Sequence, residues 1–563
     1  MIVSVLHPGL ALLLGALLLP LARPGLRPVL ILGAPALALV LIWLIPEGSP
    51  GSLAFMGYEL QPLRTDNLGR LFATIFAIMA LGGGLFALRT ATLPELVAAM
   101  FYAASAIGVT LAGDLISLFI SWELMLIGST LVIWSAASGA AHRAGMRYLM
   151  VHLLGGMLLL IGIIGHADQT GSLSFAAMHA DSWSRWLILS GFLVSAAAPP
   201  LSAWLPDAYP EASPGGAVFL SAFTTKAAVY ALMRGFPGTE LLIYVGLIMI
   251  FYGIIYALLE NDMRRILAYS IVNQVGFMIV GIGIGTSMAI NGAAAHAFAH
   301  IIYKSLLFMS AGSVLYMTGR RKCTDLGGLY KSMPLTTLCA IIGAVSISGF
   351  PLTSGFISKS LIVEAAANQD LAVIWFLLIA ASAGVFLHAG IKFPWFVFFH
   401  YDSGLRPPDP PFSMRIAMLL FAALCIGIGV FPATLYMLLP YPVDYIPYTG
   451  THVVQTLQLL LSSGLAFFVM LPVLHRTLTI TLDLDWFYRR MGPMLVSRPG
   501  DAIRAADARL RSLTGKGLER MRDLLFHQHG PQGILARTWP TGSMVLWVAV
   551  LLGAYLLAYL FRF

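Results

Sequence analysis

Runs of apolar residues, each about twenty long, recur along almost the whole chain, and no other property limits its folding so strongly. A bilayer core is crossed by a helix of about 20 apolar residues. Lipid offers no partner to a free backbone N–H or C=O, so each run is predicted to be a helix. The runs fall near 2–21, 27–46, 67–89, 94–111, 113–136, 146–166, 186–207, 213–235, 240–259, 264–285, 287–317, 334–367, 371–399, 412–436, 451–474 and 542–562. This reads as an all-α polytopic membrane protein of about sixteen spans. The gap between the fourth and fifth is the shortest. The first run lacks a basic flank and a small-residue cleavage pattern, so it is expected to be a retained span.

Charge supports the division. Hydrophobic residues make up 59% of the chain and charged residues 10%, against about 25% charged in soluble domains. With the N-terminus outside, the inner loops collect Arg23, Arg89, Arg143, Arg147, Arg264, Arg265, Arg320, Arg321, Lys322 and Lys331, while the outer loops hold few cations besides Arg64, Arg185 and Arg234. That asymmetry follows the positive-inside rule. It accounts for the net charge of +8 through topology, with no nucleic-acid partner. Cys323, Cys339 and Cys425 have no ligand spacing, and no haem, nucleotide or iron–sulfur motif occurs. No cofactor is expected.

The stretch from Ile188 to Arg234 breaks the pattern. It contains Pro199, Pro200, the polar insert from Trp204 to Glu211, and a lone Lys226 about ten residues from either end of its run. A Pro-interrupted span frees backbone groups that must face protein or a wet cavity, and a lysine at such depth usually faces a polar path. A second Gly/Pro break, Ser348 to Gly355, precedes Lys359. Two broken helices beside buried cations are how inverted-repeat transporters build their sites.

Other polar residues fall inside spans. Glu123 sits in mid-run, where a carboxylate without a partner is costly and so points to function; Asp114 is expected at the interface. His296, His300 and Lys304 recur at i, i+4, i+8 and share one helix face. Two histidines four apart can bind a metal, but the cation one turn on repels one. A proton relay of imidazoles fits better, and no metal is expected. His152 is a candidate for the same path. His388 and Lys392 read equally as path or interface. The segment 475–541 is the long hydrophilic stretch; its apolar residues, among them Ile503, Leu510 and Leu525, are helically spaced. It reads either as a basic amphipathic helix on the cytoplasmic surface or as a contact for a partner subunit.

Six motifs in order resemble the antiporter-like membrane subunit family: Trp-Glu-Leu-Met (122–125), Trp-Leu-Pro-Asp-Ala (204–208), Thr-Lys-Ala-Ala-Val-Tyr-Ala-Leu-Met-Arg (225–234), Asn-Asp-Met-Arg-Arg-Ile-Leu-Ala-Tyr-Ser (261–270), His-Ala-Phe-Ala-His-Ile-Ile-Tyr-Lys (296–304) and Ser-Gly-Phe-Ile-Ser-Lys (354–359). That family comprises proton-pumping membrane subunits of respiratory NADH:quinone oxidoreductase, large subunits of Mrp-type sodium/proton antiporters, and counterparts in membrane-bound hydrogenases. The stretch 321–329 and the Asp-Trp-Phe-Tyr-Arg start of the tail look most like the Mrp D-type branch. The resemblance implies N-terminal helices (1–93), two inverted five-helix repeats (94–236 and 237–399), C-terminal helices (400–474), the tail (475–541) and a final anchor (542–563).

By the same resemblance Glu123, Lys226, His296, His300, Lys304 and Lys359 form a proton-translocating file, with His152, Ser195, His388 and Lys392 as accessory positions. One position departs. Where the family carries a lysine nine residues before the tryptophan of its Trp-Leu-Pro motif, this chain has Ser195, which can hold water but no charge. The first half-channel is then altered, served by His152, or inactive. The implied function is a proton/cation-translocating subunit of a multi-subunit Mrp-type antiporter in a bacterial or archaeal inner membrane. The alternatives are a membrane subunit beside hydrophilic redox subunits, or a scaffold. The implied partners are other subunits, the bilayer, protons and a monovalent cation.

Overall fold

The computed structural model describes residues 6–48, 51–55, 57–472, 483–530, 533–535 and 540–561. Residues 2–5 of the first expected span, 475–482 of the tail, 531, 532 and 536–539 near its end, and 562 of the last span lie outside the described residues. The chain forms two compact units, one up to Asp485 and one from Trp486.

The first unit begins with α1 (Gly9–Leu18) and α2 (Arg27–Leu44), then a short hairpin, β1 (Leu53–Phe55) with β2 (Tyr58–Leu60). Next come α3 (Asn67–Ala87), α4 (Leu93–Leu111), α5 (Leu115–Trp134), α6 (Gly139–Thr170), α7 (Trp183–Ser195), α8 (Trp204–Ala208), α9 (Pro214–Leu220) and α10 (Thr224–Gly235). After these follow α11 (Leu241–Leu259), α12 (Met263–Ile284), α13 (Ser287–Thr318), α14 (Pro334–Ser348), α15 (Ser354–Asn368) and α16 (Ala372–Val385). The unit closes with α17 (Phe412–Val430), α18 (Ala433–Tyr436) and α19 (Gly450–Met470). The second unit consists of α20 (Gly492–His529) and α21 (Thr541–Leu560).

Thirteen helical stretches among the described residues are long and apolar enough to cross a membrane. They do not reproduce the sixteen runs one for one. The runs near 2–21, 186–207 and 334–367 hold helices that are short or interrupted: α1, α7, and the pair α14 and α15. Run length counts apolar residues whether or not the backbone stays helical through them, so breaks escape it. The narrow joint after α4 is a true turn, Ala112–Gly113–Asp114, where the Asp114 side chain caps α5 by accepting from Ser117 N–H. The run 371–399 reads as one plain helix in the sequence. It turns π-helical over Phe386–Lys392 and Trp395–Phe399, around Pro394, whose missing N–H shifts the bonding register.

α9, α10 and α12 are enclosed by other helices and α13 nearly so, whereas α2 and α19 keep one broad face outward. A helix apolar on all sides belongs in the interior, and glycine lets such helices close up. A Cβ on Gly246 of α11 would lie 2.6 Å from the Gly276 carbonyl of α12, and one on Gly276 would lie 2.6 Å from that of Gly246. Close backbone approach of this kind is the usual glue between helices in lipid.

Two stretches of the first unit are built alike. Asp114 caps α5 and Asp262 caps α12; Ser138 caps α6 and Thr286 caps α13. The 32-residue helices α6 and α13 both end on a left-handed glycine, Gly171 (φ 68°) and Gly319 (φ 67°), a conformation that costs glycine little. An antiparallel bridge joins Asp114 to Ser174, and another joins Asp262 to Lys322. In every pair the second residue lies 148 positions after the first.

Charged pairs pin this frame. Arg147 of α6 donates from Nε to Asp207 Oδ2 (2.6 Å) and from a terminal nitrogen to Oδ1 (2.8 Å), which fixes α8. Asp207→Ala leaves a half-buried guanidinium without its carboxylate. It is expected to cost about 3 kcal/mol, since breaking a buried pair costs more than the pair is worth. A thermal melt in detergent with an unchanged midpoint would contradict this. At the far end of the unit Asp483 is buried and accepts from the hydroxyls of Tyr252 (2.6 Å) and Tyr269. In the second unit α20 exposes the apolar residues Ile503, Leu510, Leu513, Leu518, Met521 and Leu525, the helical spacing expected of the tail.

Candidate functional site

Lys226 does not sit in the middle of a continuous helix. The chain leaves α-helical geometry at Ser221–Ala222–Phe223, between α9 and α10, without a glycine or proline to announce it. Lys226 lies in the first turn of α10 and is fully buried. Its Nζ donates to the Ser221 carbonyl at 2.6 Å and to Thr225 Oγ1 at 3.1 Å. The second break, Gly349–Thr353, falls where the Gly/Pro pattern puts it. Across it Lys359 Nζ donates to the Ile347 carbonyl of α14 at 2.6 Å. Both lysines thus cap the C-terminal end of a severed helix, where the aligned peptide dipoles carry about half a negative charge.

The α13 stripe lies in the interior, with His296, His300 and Lys304 all at 0% exposure. His296 is held from both sides: Nδ1 lies 3.0 Å from Ser358 Oγ, one residue before Lys359, and Nε2 lies 3.2 Å from Gln274 Oε1. Tyr303 OH also donates to Gln274 Oε1 (3.1 Å), and Asn273 donates to the Ile250 carbonyl (3.0 Å), securing this polar pair within α12. The ring of His300 stands 6.3 Å from that of His296 and 5.3 Å from that of Tyr303. Among the described residues neither nitrogen of His300 has a hydrogen-bond partner, and neither does Lys304 Nζ. Lys226 and Lys359 beside the two breaks and His296 and His300 on α13 are thus all buried, and Ser358 joins His296 to the turn of α15 that carries Lys359. Both nitrogens of His296 are thus engaged, whereas both of His300 are unpartnered among the described residues.

The remaining expected residues divide. His388 (0% exposed) and Lys392 (7%) are both buried. Lys392 Nζ donates to the carbonyls of Ala257 (3.0 Å), Leu258 (2.5 Å) and Glu260 (2.5 Å), so it too caps a helix C-terminus, that of α11. The side chain of Glu260 in turn accepts from Arg265 Nε at 2.7 Å, and Arg265 lies 3.3 Å from Tyr269 OH. Glu123 is only partly buried, and its Oε1, turned against Gly156, has no partner among the described residues. Ser195 is buried at the end of α7 with an Oγ likewise unpartnered. His152 is buried, its Nδ1 3.0 Å from the Tyr148 carbonyl and its ring between Tyr148 (4.1 Å, stacked) and Trp204 (4.4 Å). Among the described residues, Glu123 Oε1 and Ser195 Oγ are thus both without a hydrogen-bond partner.

Sequence reasoning passed over Gln274, Asn273, Tyr303, Tyr148 and Thr224. A polar pair such as Asn273–Gln274 inside an apolar run is a readable signal. The hydroxyl residues are not, because threonine and tyrosine are common in ordinary spans. Outside the spans, burial pushes the Asp66 carboxyl up, but the Arg234 guanidinium and the Gly69 N–H outweigh it and hold it below the ordinary range. Burial keeps Asp262 above that range despite Arg321 and the Arg264 N–H.

Gly355 makes the second break possible. A Cβ there would run into the Ser346 carbonyl. Gly355→Ala must push α15 away from α14 and carry Lys359 off its cap, so the variant is expected to assemble poorly or lose activity. Normal assembly with full activity would show that the break tolerates wider spacing.

Fold and site together define a polytopic membrane protein built around an interior row of titratable side chains strung between two broken helices. Residues 112–386 match the family model described as NADH:quinone oxidoreductase/Mrp antiporter, transmembrane. The chain is 33% identical to the D-type subunit of the Na(+)/H(+) antiporter of Alkalihalophilus pseudofirmus over 48% of its own length and 59% of that protein's. It is 30% identical to the N-type subunit of the NADH-quinone oxidoreductase of Desulforudis audaxviator over 59% of its own length and 72% of that protein's. A chain in the structure of the Mrp complex from Dietzia sp. superposes with a TM-score of 0.77 and 25% identity, over 92% of this chain and 63% of that one. The chain belongs to the NADH:quinone oxidoreductase/Mrp antiporter membrane-subunit family. It spans about 59% of the D-type antiporter protein that it matches.

Proposed function

We propose that the chain is a proton- and cation-translocating subunit of a multi-subunit, Mrp-type monovalent cation/proton antiporter. One observation carries this reading: Lys226, His296, His300, Lys304 and Lys359 are all buried in the interior, with Lys304 Nζ and both His300 nitrogens unpartnered among the described residues. A buried cation without a partner is too costly to keep as packing, and imidazoles between lysines are suited to passing protons. In this reading Glu123 and His152 serve the first repeat (94–236), His388 and Lys392 the end of the second (237–399), and Ser195 marks the missing lysine. The subunit lies in a bacterial or archaeal inner membrane with its N-terminus outside, and the likeness to the D-type antiporter protein supports partners of the Mrp kind.

A second reading has its own support. The chain covers more of the N-type quinone oxidoreductase protein than of the D-type antiporter protein, 72% against 59%. Here the same file serves a complex whose redox chemistry resides in other subunits. Gentle purification of the native complex and mass spectrometry of its components separate the two. Small hydrophobic subunits and a larger homologue, without flavin or iron–sulfur absorbance, are the expected result; co-purifying redox subunits would overturn the first reading in favour of the second.

A further inference from the structure

Asp483, three residues before the second unit begins, starts an unbroken line of hydrogen bonds that ends at Lys392. Its Oδ2 accepts from the Tyr269 hydroxyl, which in turn accepts from Arg265 Nη2 at 3.3 Å. Arg265 Nε donates to Glu260 Oε2 at 2.7 Å. Glu260 Oε1 accepts from the N–H groups of Asn261 (2.9 Å) and Asp262 (3.1 Å), and the Glu260 carbonyl receives the Lys392 ammonium at 2.5 Å. One residue, Glu260, thus both builds the turn between α11 and α12 and holds Lys392. The second oxygen of Asp483, Oδ1, accepts from Tyr252 OH at 2.6 Å, a branch off the line. The repeat of 148 residues gives this line no counterpart in the first half. Glu260 corresponds to Ala112, Arg265 to Ser117 and Tyr269 to Ser121. The two halves share their helix caps, and only the half that carries Lys392 adds the charged line to them.

We propose that Asp483 is a positioning residue for Lys392: through Tyr269 and Arg265 it fixes the Glu260 turn on which the Lys392 ammonium rests. The proposal rests on the proton-translocating reading above, in which Lys392 serves the end of the second repeat. A phenol donates one hydrogen bond and accepts another, so Tyr269 can stand between the Asp483 carboxylate and the Arg265 guanidinium. Bonds in such a chain polarise and strengthen one another. Arg265 is gripped at two points of its planar fork, one on Tyr269 and one on Glu260, so its place follows theirs. The Lys392 stem is flexible, and its head is placed by the carbonyls of Ala257, Leu258 and Glu260. Of these three residues, Glu260 alone has a polar side chain, and that side chain is the end of the line. An anchor that merely satisfied two tyrosines would act equally through Tyr252 and Tyr269.

The test uses the assembled complex in inside-out membrane vesicles, with proton movement read by an acridine dye after adding Na+ or K+ and rates taken per amount of subunit. Tyr269→Phe and Tyr252→Phe each take one hydroxyl from Asp483 and keep the ring. The expected result is that Tyr269→Phe lowers the maximal rate about tenfold, within the hundredfold that a misplacement of about 1 Å can cost. Tyr252→Phe should stay near the wild-type rate, and the half-saturating cation concentration should be unchanged in both. Asp483→Asn should match Tyr269→Phe, and combining the two should cost nothing more, since members of one network do not add. Equal rates in the two tyrosine variants overturn the positioning role. So do additive losses in the combined variant, or a wild-type rate in Lys392→Ala. If Asp483→Asn fails to assemble, the two tyrosine variants decide alone. Lys226→Ala is measured in parallel: transport that survives there removes the underlying reading, whereas loss there beside an intact Tyr269→Phe removes only the positioning role.

Discussion

Lys226→Ala is expected to abolish cation-dependent proton movement, by about a hundredfold or more, while the complex still forms. A positioned proton carrier contributes about 10²–10⁴ in rate, and Lys226 stands fully buried at the break between α9 and α10, bonded to the Ser221 carbonyl. The same substitution should also destabilise the protein. It leaves the Ser221 carbonyl, at the open end of α9, without its charged donor, and a hydrogen bond to a charged group is worth about 1.5–3 kcal/mol. Lys226→Arg is a sharper probe, since it keeps the charge but holds its proton at any working pH; it should preserve assembly and lose transport. Full transport in Lys226→Arg would mean that charge, and not proton exchange, is what the position supplies.

Lys304→Met should act in opposite directions on stability and on transport. Its Nζ is buried without a partner among the described residues, alongside the equally unpartnered nitrogens of His300. A charged side chain at such depth costs about 2.5–3.5 kcal/mol on insertion scales, and methionine fills a similar volume without that cost. The variant is expected to melt at higher temperature in detergent and to transport at least about tenfold more slowly. Lys226 and Lys304 thus make a pair of controls: both substitutions are expected to slow transport, one to lower the melting point, and the other to raise it. If Lys304→Met melts lower, the ammonium has a counter-group supplied by the assembled complex, and the residue is structural.

The file itself is legible in the sequence because its members are charged, and charge inside an apolar run has few innocent explanations. Lys226, Lys359 and the α13 stripe all stand out on that ground, and the break before Lys359 on its glycines and proline. The break beside Lys226 does not, because Ser-Ala-Phe is compatible with a helix; tertiary packing, not local preference, opens it. The long apolar helices do not match the runs one for one for a related reason: α14 and α15 lie in one run, although each is short. Glu123 is the opposite case. Its chemistry is plain, but only packing reveals that it stands against Gly156 with a bare oxygen, apart from the file. The reach of Thr224 to Tyr102 and Tyr148 is invisible, since nothing in a sequence distinguishes a threonine that bonds its own backbone from one that bonds two tyrosines across three helices.

The capping of severed helices by Lys226 and Lys359 has a consequence for robustness. Each ammonium is balanced by the blunt end of a helix, about half a charge that belongs to the backbone, and not by an aspartate or glutamate. Such a counter-charge cannot take up a proton, so it is the same in acid and in alkali. Nor can it be deleted by changing a side chain: only a substitution that rejoins α9 to α10, or α14 to α15, would erase it. The moving charges are mutable, while their fixed counterpart is written into the course of the main chain.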